Sequence, residues 1–232
     1  MTMLRHSVIW LLRDTTTPEL RIEMLQGLAY LRMECLMVRS GDYGADIFGG
    51  SRGLQASPQE DRLPTWRRGS EGPPSNYDVA LHLDFDDWAG HDAYSADPAH
   101  GAGSRFNASV AWDELTARVD WYYGGDQPTS RGHIRHVAMF VWADDAAEDA
   151  KQRALRAVQG LADVPGVEAV AVGPNVGKLV SDYDWIMDVQ LPDRAATERL
   201  LGGAPYARAM EAVAAATKYE WTARLSHVMR GP

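Results

Sequence analysis

Apolar residues at spacing two open the chain. From Leu4 to Leu12, one face carries Leu4, His6, Val8, Trp10 and Leu12, and the other Arg5, Ser7, Ile9 and Leu11. Successive strand side chains point to opposite faces, so both faces of this strand are largely apolar and both should be covered. From Thr17 to Leu31 the period lengthens. Thr17-Pro18 reads as a helix start, and Leu20, Met24, Leu28 and Leu31 form one stripe. Cys35 to Arg39 is the expected second strand. Tyr77 to Phe85 is the third, with Tyr77, Val79, Leu81, Leu83 and Phe85 on one face. Short helices are expected over Asp86 to Tyr94 and from about His100 to Leu115, then a fourth strand over Arg118 to Tyr123.

The same order returns. Arg5-His6-Ser7-Val8-Ile9-Trp10-Leu11 is echoed 130 residues later by Arg135-His136-Val137-Ala138-Met139-Phe140-Val141. Tyr77-Asp78-Val79-Ala80-Leu81 is echoed 106 residues later by Tyr183-Asp184-Trp185-Ile186-Met187. The difference, 24 residues, is an addition to the first half. It falls between about Gly44 and Pro74, where Gly, Ser, Pro and Arg replace any periodicity. The second half reads as strand Ile134 to Trp142, helix Asp145 to Leu161, strands Val167 to Val172 and Tyr183 to Leu191, helices Arg194 to Leu201 and Pro205 to Thr217, and strand Glu220 to Val228. Self-similarity of this kind signals a tandem architecture. The chain divides into a first half over 1–123, a turn-rich linker over 124–133, and a second half over 134–232.

A four-stranded antiparallel sheet with helices on one face leaves its other face apolar and bare. Two such sheets can pack face to face and close a joint barrel within one chain. The fold class is therefore α+β, with two strand-helix-strand-strand-helix-strand halves making an intramolecular α+β barrel.

Composition narrows the partners. Lys and Arg number 23 against 32 Asp and Glu, a net charge of -9, which argues against a nucleic-acid binder. The chain is 45% hydrophobic and 24% charged, ordinary for a globular protein. The lone Cys35 cannot form an internal disulfide and fits a reducing cytoplasm. The apolar run Ser7 to Leu12 is too short for a signal core or a membrane span, so a cytoplasmic protein without membrane contact is expected. Eight tryptophans are unusual; Trp often walls apolar pockets and interfaces.

The most chemistry-bearing stretch is W-A-G-H-D-A-Y-S-A-D-P-A-H, Trp88 to His100. Tyr94 precedes His100 by six residues, with Pro98 fixing the backbone between them. Arg-His at the first strand, the Tyr77-Asp78 strand ending in Phe85, and A-Y-x-x-x-P-x-H at Ala93 to His100 together resemble the stress-responsive A/B barrel (Dabb) family. Two copies cover nearly the whole chain. The resemblance implies ferredoxin-like halves forming a dimeric-type α+β barrel. By likeness to enzymes of the olivetolic acid cyclase type, it implies a catalytic Tyr/His pair at Tyr94 and His100 and a further pocket histidine at His6. Another pocket histidine of that type falls on Val79, so the correspondence is incomplete.

In the second half, Tyr206 stands at the place of His100, Ala204 at that of Pro98, and Leu200 at that of Tyr94, although His136 repeats His6. One working cavity, in the first half, is therefore expected. A histidine at its ordinary pKa can deprotonate a phenol or 1,3-dicarbonyl, and a nearby tyrosine hydroxyl can hold the resulting oxyanion. The anion can react with dioxygen, as in small barrels of the antibiotic-biosynthesis monooxygenase type. It can also attack an internal carbonyl, as in a polyketide cyclase or aldol-type lyase. Tandem chains of this shape are also similar to the ring-opening oxygenases of angucycline-type pathways, which implies oxidative ring cleavage. A non-catalytic ligand-binding stress barrel is the third reading.

Trp10, Tyr77, Val79, Trp88, Trp121, Tyr123, Trp185 and Trp221 are the expected substrate-contacting residues, suited to a large flat aromatic. Trp66, Arg67 and Arg68 are lid candidates in the added segment. No cofactor fingerprint is present; reduced flavin, as a diffusible co-substrate beside dioxygen, stays open. A metal at His133 and His136 is not expected, because a spacing of three on a strand puts them on opposite faces. The chain is expected to work as a pseudo-dimeric monomer or a homodimer.

Overall fold

The computed structural model describes residues 2–49, 75–124, 130–178 and 183–230. The lid candidates Trp66, Arg67 and Arg68, and linker residues 125–129, lie outside the described residues. The first half runs β1 (Thr2–Trp10), α1 (Pro18–Glu34), β2 (Ser40–Ala45), β3 (Val79–Phe85), α2 (Trp88–Ser95), α3 (Pro98–Val110) and β4 (Ala117–Gly124). The second runs β5 (Ile134–Phe140), α4 (Glu148–Gln159), β6 (Ala169–Pro174), β7 (Trp185–Leu191), α5 (Arg194–Leu201), α6 (Ala204–Ala214) and β8 (Ala223–Val228). Each half is one antiparallel sheet, ordered β2-β3-β1-β4 and β6-β7-β5-β8. This is the α+β fold of two packed ferredoxin-like halves.

The two-faced strands now have their explanation. Leu4, Val8 and Trp10 of β1 pack with Met24, Leu28 and Leu31 of α1 on the helix side. Ile9 and Leu11 pack with Val137, Met139 and Ile186 across the space between the sheets. The hydroxyls of Tyr77 and Tyr183, repeat partners, meet at 3.3 Å at the pseudo-twofold.

The second strand departs from expectation. The helix continues past Leu31 to Glu34, Cys35 caps it, and the strand forms at Ser40–Ala45 rather than Cys35–Arg39. Its sequence, S-G-D-Y-G-A, carries little strand propensity. Close approach selects its glycines. A Cβ on Gly44 would lie 2.6 Å from His227 Nδ1 and 2.7 Å from the Val228 carbonyl, at the seam between β2 and β8. The other seam, β4 against β6, has the same device: a Cβ on Gly173 would lie 2.5 Å from the Trp121 ring. Asp46–His227 bridging and the Ile47 N–H donating to the Ser226 carbonyl (2.9 Å) tie the first seam. The Val176 N–H donating to the Asp120 carbonyl (2.7 Å) ties the second.

Charge lies between the sheets. Arg5 donates to both oxygens of Asp84 (2.7 and 3.0 Å) and to Asp188 (2.9 Å). Arg135 reaches Asp188 and Asp42. Trp121 Nε1–H donates to Ser7 Oγ (3.0 Å), which also contacts His82 Nδ1 (3.0 Å). Burial works to lower the Arg5 pKa, but Asp84 and then Asp188 outweigh it and raise it. Burial likewise works against the Asp84 carboxylate, and Arg5 holds it below its usual range.

Three buried histidines set an acid limit. Burial lowers the pKa of His82 and His227, and brings that of His136 down to about 3. Their unfolded value is about 6.5, so below that pH the unfolded chain binds more protons than the folded one. Stability is complete above pH ~6.5 and falls as pH drops toward the folded values, by about 1.4 kcal/mol per pH unit for each histidine. Urea unfolding at pH 7 and pH 5 should show a marked fall in midpoint before carboxylates begin to protonate. Equal midpoints would contradict the neutral burial of these rings.

Candidate active site

The Trp88–His100 stretch folds as two short helices joined at a corner. Asp87 caps α2, accepting from the Gly90 N–H (3.0 Å), and Asp97 caps α3, accepting from the Ala99 N–H (2.8 Å), with Pro98 in its first turn. On α2 the spacing of three puts His91 and Tyr94 on the inward face, both buried. His100, in the first turn of α3, turns back so that its Nδ1–H donates to the Ser95 carbonyl (3.1 Å). That bond fixes the tautomer and leaves Nε2 as a free base.

The sheet supplies the floor. His6 and Asp120 are direct cross-strand partners of β1 and β4 on the helix side, and His6 Nδ1–H donates to Asp120 Oδ1 at 2.6 Å. The second half braces Asp120: its N–H donates to Asn175 Oδ1 (3.1 Å). Tyr94 lies over this floor, its ring 6.2 Å from that of His6 and 4.5 Å from that of His100. The His91 ring is 5.2 Å from that of His6. These side chains, with Trp10, Leu81, Asn107 and Arg118, line a cavity of about 190 Å³ between sheet and helices.

Burial lowers the His100 pKa, so the ring is neutral and able to accept a proton. Burial, with the charge of His6, also lowers that of His91. Burial works against the Asp120 carboxylate, but its bond to His6 more than compensates and keeps it ionised. Burial raises the Tyr94 hydroxyl well above its ordinary value, so it is a hydrogen-bond donor, not an acid.

The expected catalytic residues His100, Tyr94 and His6 thus share one cavity, and Trp10 lines it too. The other expected substrate contacts point elsewhere. Trp121 and Tyr123 face the barrel interior, where Tyr123 covers the Arg5 guanidinium at 4.1 Å. Tyr77 sits at the barrel end, its hydroxyl donating to the Leu115 carbonyl (2.7 Å). Val79 is core beneath the helices. Trp185 stacks between Phe140 and Trp142 in the second half (4.3 and 4.9 Å), and Trp221 is 39% exposed. Trp88 packs edge-on to His91 (5.1 Å) beneath the Lys178 ammonium, outside the cavity wall. The reason is strand parity. Odd-numbered β4 residues face the barrel and even-numbered ones the helices, and the barrel face is taken up by charge and packing, not by ligand space.

His91, Asp120, Asn107 and Arg118 were not anticipated. His91 is legible in retrospect, three residues before Tyr94 on one helix. Asp120 is not, since its partnership with His6 depends on the β1–β4 register.

The matching place in the second half is closed. His136 contacts Ser226 Oγ through Nδ1 (2.8 Å) and the Tyr206 hydroxyl through Nε2 (2.9 Å), with both ring nitrogens used. Ser226 pairs with His136 as Asp120 pairs with His6. Thr197 and Leu200, both buried, stand in repeat register with His91 and Tyr94. His133 pairs with Glu168 (2.6 Å) at the surface, away from His136.

No protein-family model and no curated protein matches the sequence. Solved structures match over the whole chain. An anthrone oxidase-like protein aligns with a TM-score of 0.61 at 10% identity, covering 100% of this chain and 92% of that one. A protein of Lactobacillus acidophilus, provisionally assigned as a monooxygenase, aligns at 0.53 with 11% identity, covering 100% and 94%. A second provisional monooxygenase, from Fusobacterium nucleatum, aligns at 0.56 with 8% identity, covering 99% and 93%. At these identities the likeness establishes the fold: a tandem ferredoxin-like α+β barrel.

Proposed function

We propose that the first half is an oxygenase site for a small phenol or 1,3-dicarbonyl of polyketide type. The observation that carries it is the convergence of a tautomer-fixed His100, a protonated Tyr94 and the His6–Asp120 pair on one enclosed cavity, while the equivalent place in the second half is plugged by Tyr206 on His136. Structures named as monooxygenases and as anthrone oxidase-like share the whole fold, which supports oxygen chemistry over the alternatives.

His100 Nε2 removes the proton from a phenol or from a carbon next to a carbonyl. Tyr94 donates to the oxyanion, and Arg118 supplies positive charge along the same wall. The electron-rich anion forms a carbon–oxygen bond to dioxygen. The oxygen–oxygen bond then breaks as water leaves, so a CH2 group next to a carbonyl, or a ring CH of a phenol, becomes a carbonyl. One oxygen atom enters the product, the other leaves as water, and the substrate supplies the electrons.

A cavity of about 190 Å³ lies below the usual range for drug-sized ligands, roughly 300–1,000 Å³. It suits one or two rings, smaller than the polycyclic substrate expected from tryptophan content. It does not fit a flavin ring beside a substrate, so no step is assigned to flavin. One chain supplies both sheets. Among the described residues, no helix is long and apolar enough to cross a membrane.

An oxygen electrode with hydroxynaphthalenes and tetralones tests the reading. One dioxygen consumed per product, with the product carbonyl labelled from 18O2, is expected. Full turnover without oxygen would replace the oxygenase by the cyclase, which the same His/Tyr pair would serve.

A further inference from the structure

We infer that His6, His91 and Asp120 form a binding site for one divalent transition-metal ion at the floor of the cavity. All three are buried, at 7%, 6% and 2% exposure, and each offers a ligand atom within 4.8 Å of the others. Asp120 Oδ1 stands 2.6 Å from His6 Nδ1 and 3.6 Å from His91 Nε2. Metal–ligand bonds of about 2.0–2.2 Å place neighbouring ligand atoms roughly 3 Å apart, and both Asp120–histidine separations lie within about 1 Å of that spacing.

Two imidazoles and one carboxylate with open positions is the donor set of non-haem iron(II) sites, and cobalt, manganese and zinc are accepted by the same ligands. The surroundings suit a resident cation. Asp120 is held in place by Asn175 through its backbone. His91 Nδ1 has no hydrogen-bond partner and lies 3.7 Å from Asp92 Oδ1, close enough for that carboxylate to orient the ring. Open coordination positions would face Tyr94 and His100, which makes a bidentate enolate or catecholate the fitting ligand class. The repeat keeps only one of the three: Ser226 and Thr197 replace Asp120 and His91 beside His136.

A second trio, Asp42, His82 and His227, is buried between the sheets. There the Arg135 guanidinium already lies 2.9 Å from Asp42, and a divalent ion would be set against a buried cation. At the cavity site Arg118 also acts on Asp120, but Asp120 Oδ1 itself faces the two histidines, not a guanidinium.

The site stands on geometry and holds whether the cavity oxygenates or cyclises. Metal-stripped full-length protein is titrated with Co(II), and with Fe(II) under nitrogen. One ion per chain, release of the His6–Asp120 proton, and Co(II) visible bands of a mixed nitrogen–oxygen site are expected. Asp120→Asn and His91→Ala should each weaken binding at least about a hundredfold, while His227→Gln leaves it unchanged. Binding that survives both substitutions, or that is lost with His227→Gln, overturns the assignment. If either variant fails to fold, the unaltered chain decides: no saturable Co(II) spectrum means no site. The titration involves no turnover, so its failure leaves the oxygen-uptake result standing, and the reverse holds.

Discussion

Replacing Asp188 with alanine is expected to lower the unfolding free energy by about 3–5 kcal/mol. Asp188 is fully buried on β7 and accepts from two arginines, Arg5 of the first sheet (2.9 Å) and Arg135 of its own. Without it both guanidiniums stay in a water-free space with one carboxylate partner each, Asp84 and Asp42. The penalty of a buried charge left undercompensated exceeds the worth of the ion pair itself. The Arg39–Asp86 pair is the control: with side chains 57% and 44% exposed, its loss should cost under about 1 kcal/mol. Urea midpoints at constant slope read both. A Asp188→Ala variant no less stable than Asp86→Ala would mean that water enters between the sheets. Because Asp188 joins the two sheets, its loss should also loosen the seams at Gly44 and Gly173, which hydrogen exchange in β2 and β6 would detect.

The same cluster shows why some of the molecule was legible from sequence and some was not. Alternation in β1 and the displaced echoes of Arg5-His6 and Tyr77-Asp78 disclosed two equivalent sheets, because burial on both faces leaves apolar residues on both sides of the strand. The stripe Met24, Leu28 and Leu31 marked α1 for the same reason, all three being buried. β2 was misplaced because its sequence answers to its neighbours: Gly41 and Gly44 are there for backbone approach, which leaves no periodicity to read. In the site, His6, Tyr94 and His100 were found through a motif in which they are close in sequence or recur. Asp120 reaches His6 only through strand register, and His91 turns inward only through helical phase. The tryptophans misled because ring size says that a residue is buried but not on which side. Trp10 at an even β1 position meets the cavity, whereas Trp121 at an odd β4 position meets Ser7 in the barrel.

His100→Ala should reduce kcat by about 10²–10⁴-fold, the usual range for a lost general base, with little change in KM, since a half-buried ring at the rim contributes little binding area. His100→Gln separates geometry from basicity. Its amide can keep a bond to the Ser95 carbonyl but cannot take a proton, so it should be as impaired as alanine. Tyr94→Phe should cost about 10²–10³-fold through loss of a preorganised donor to the oxyanion, and its effect should grow with the basicity of the substrate oxygen. The pH profile carries the sign. His100 has a pKa below its ordinary value, so its base form persists as pH falls through 6.5, and the acid limb of kcat/KM should lie below that of a free imidazole. Full turnover by His100→Gln, or an acid limb unchanged in a slow but active His100→Ala variant, would move the base to the His6–Asp120 pair, whose 2.6 Å bond already gives it a fixed orientation.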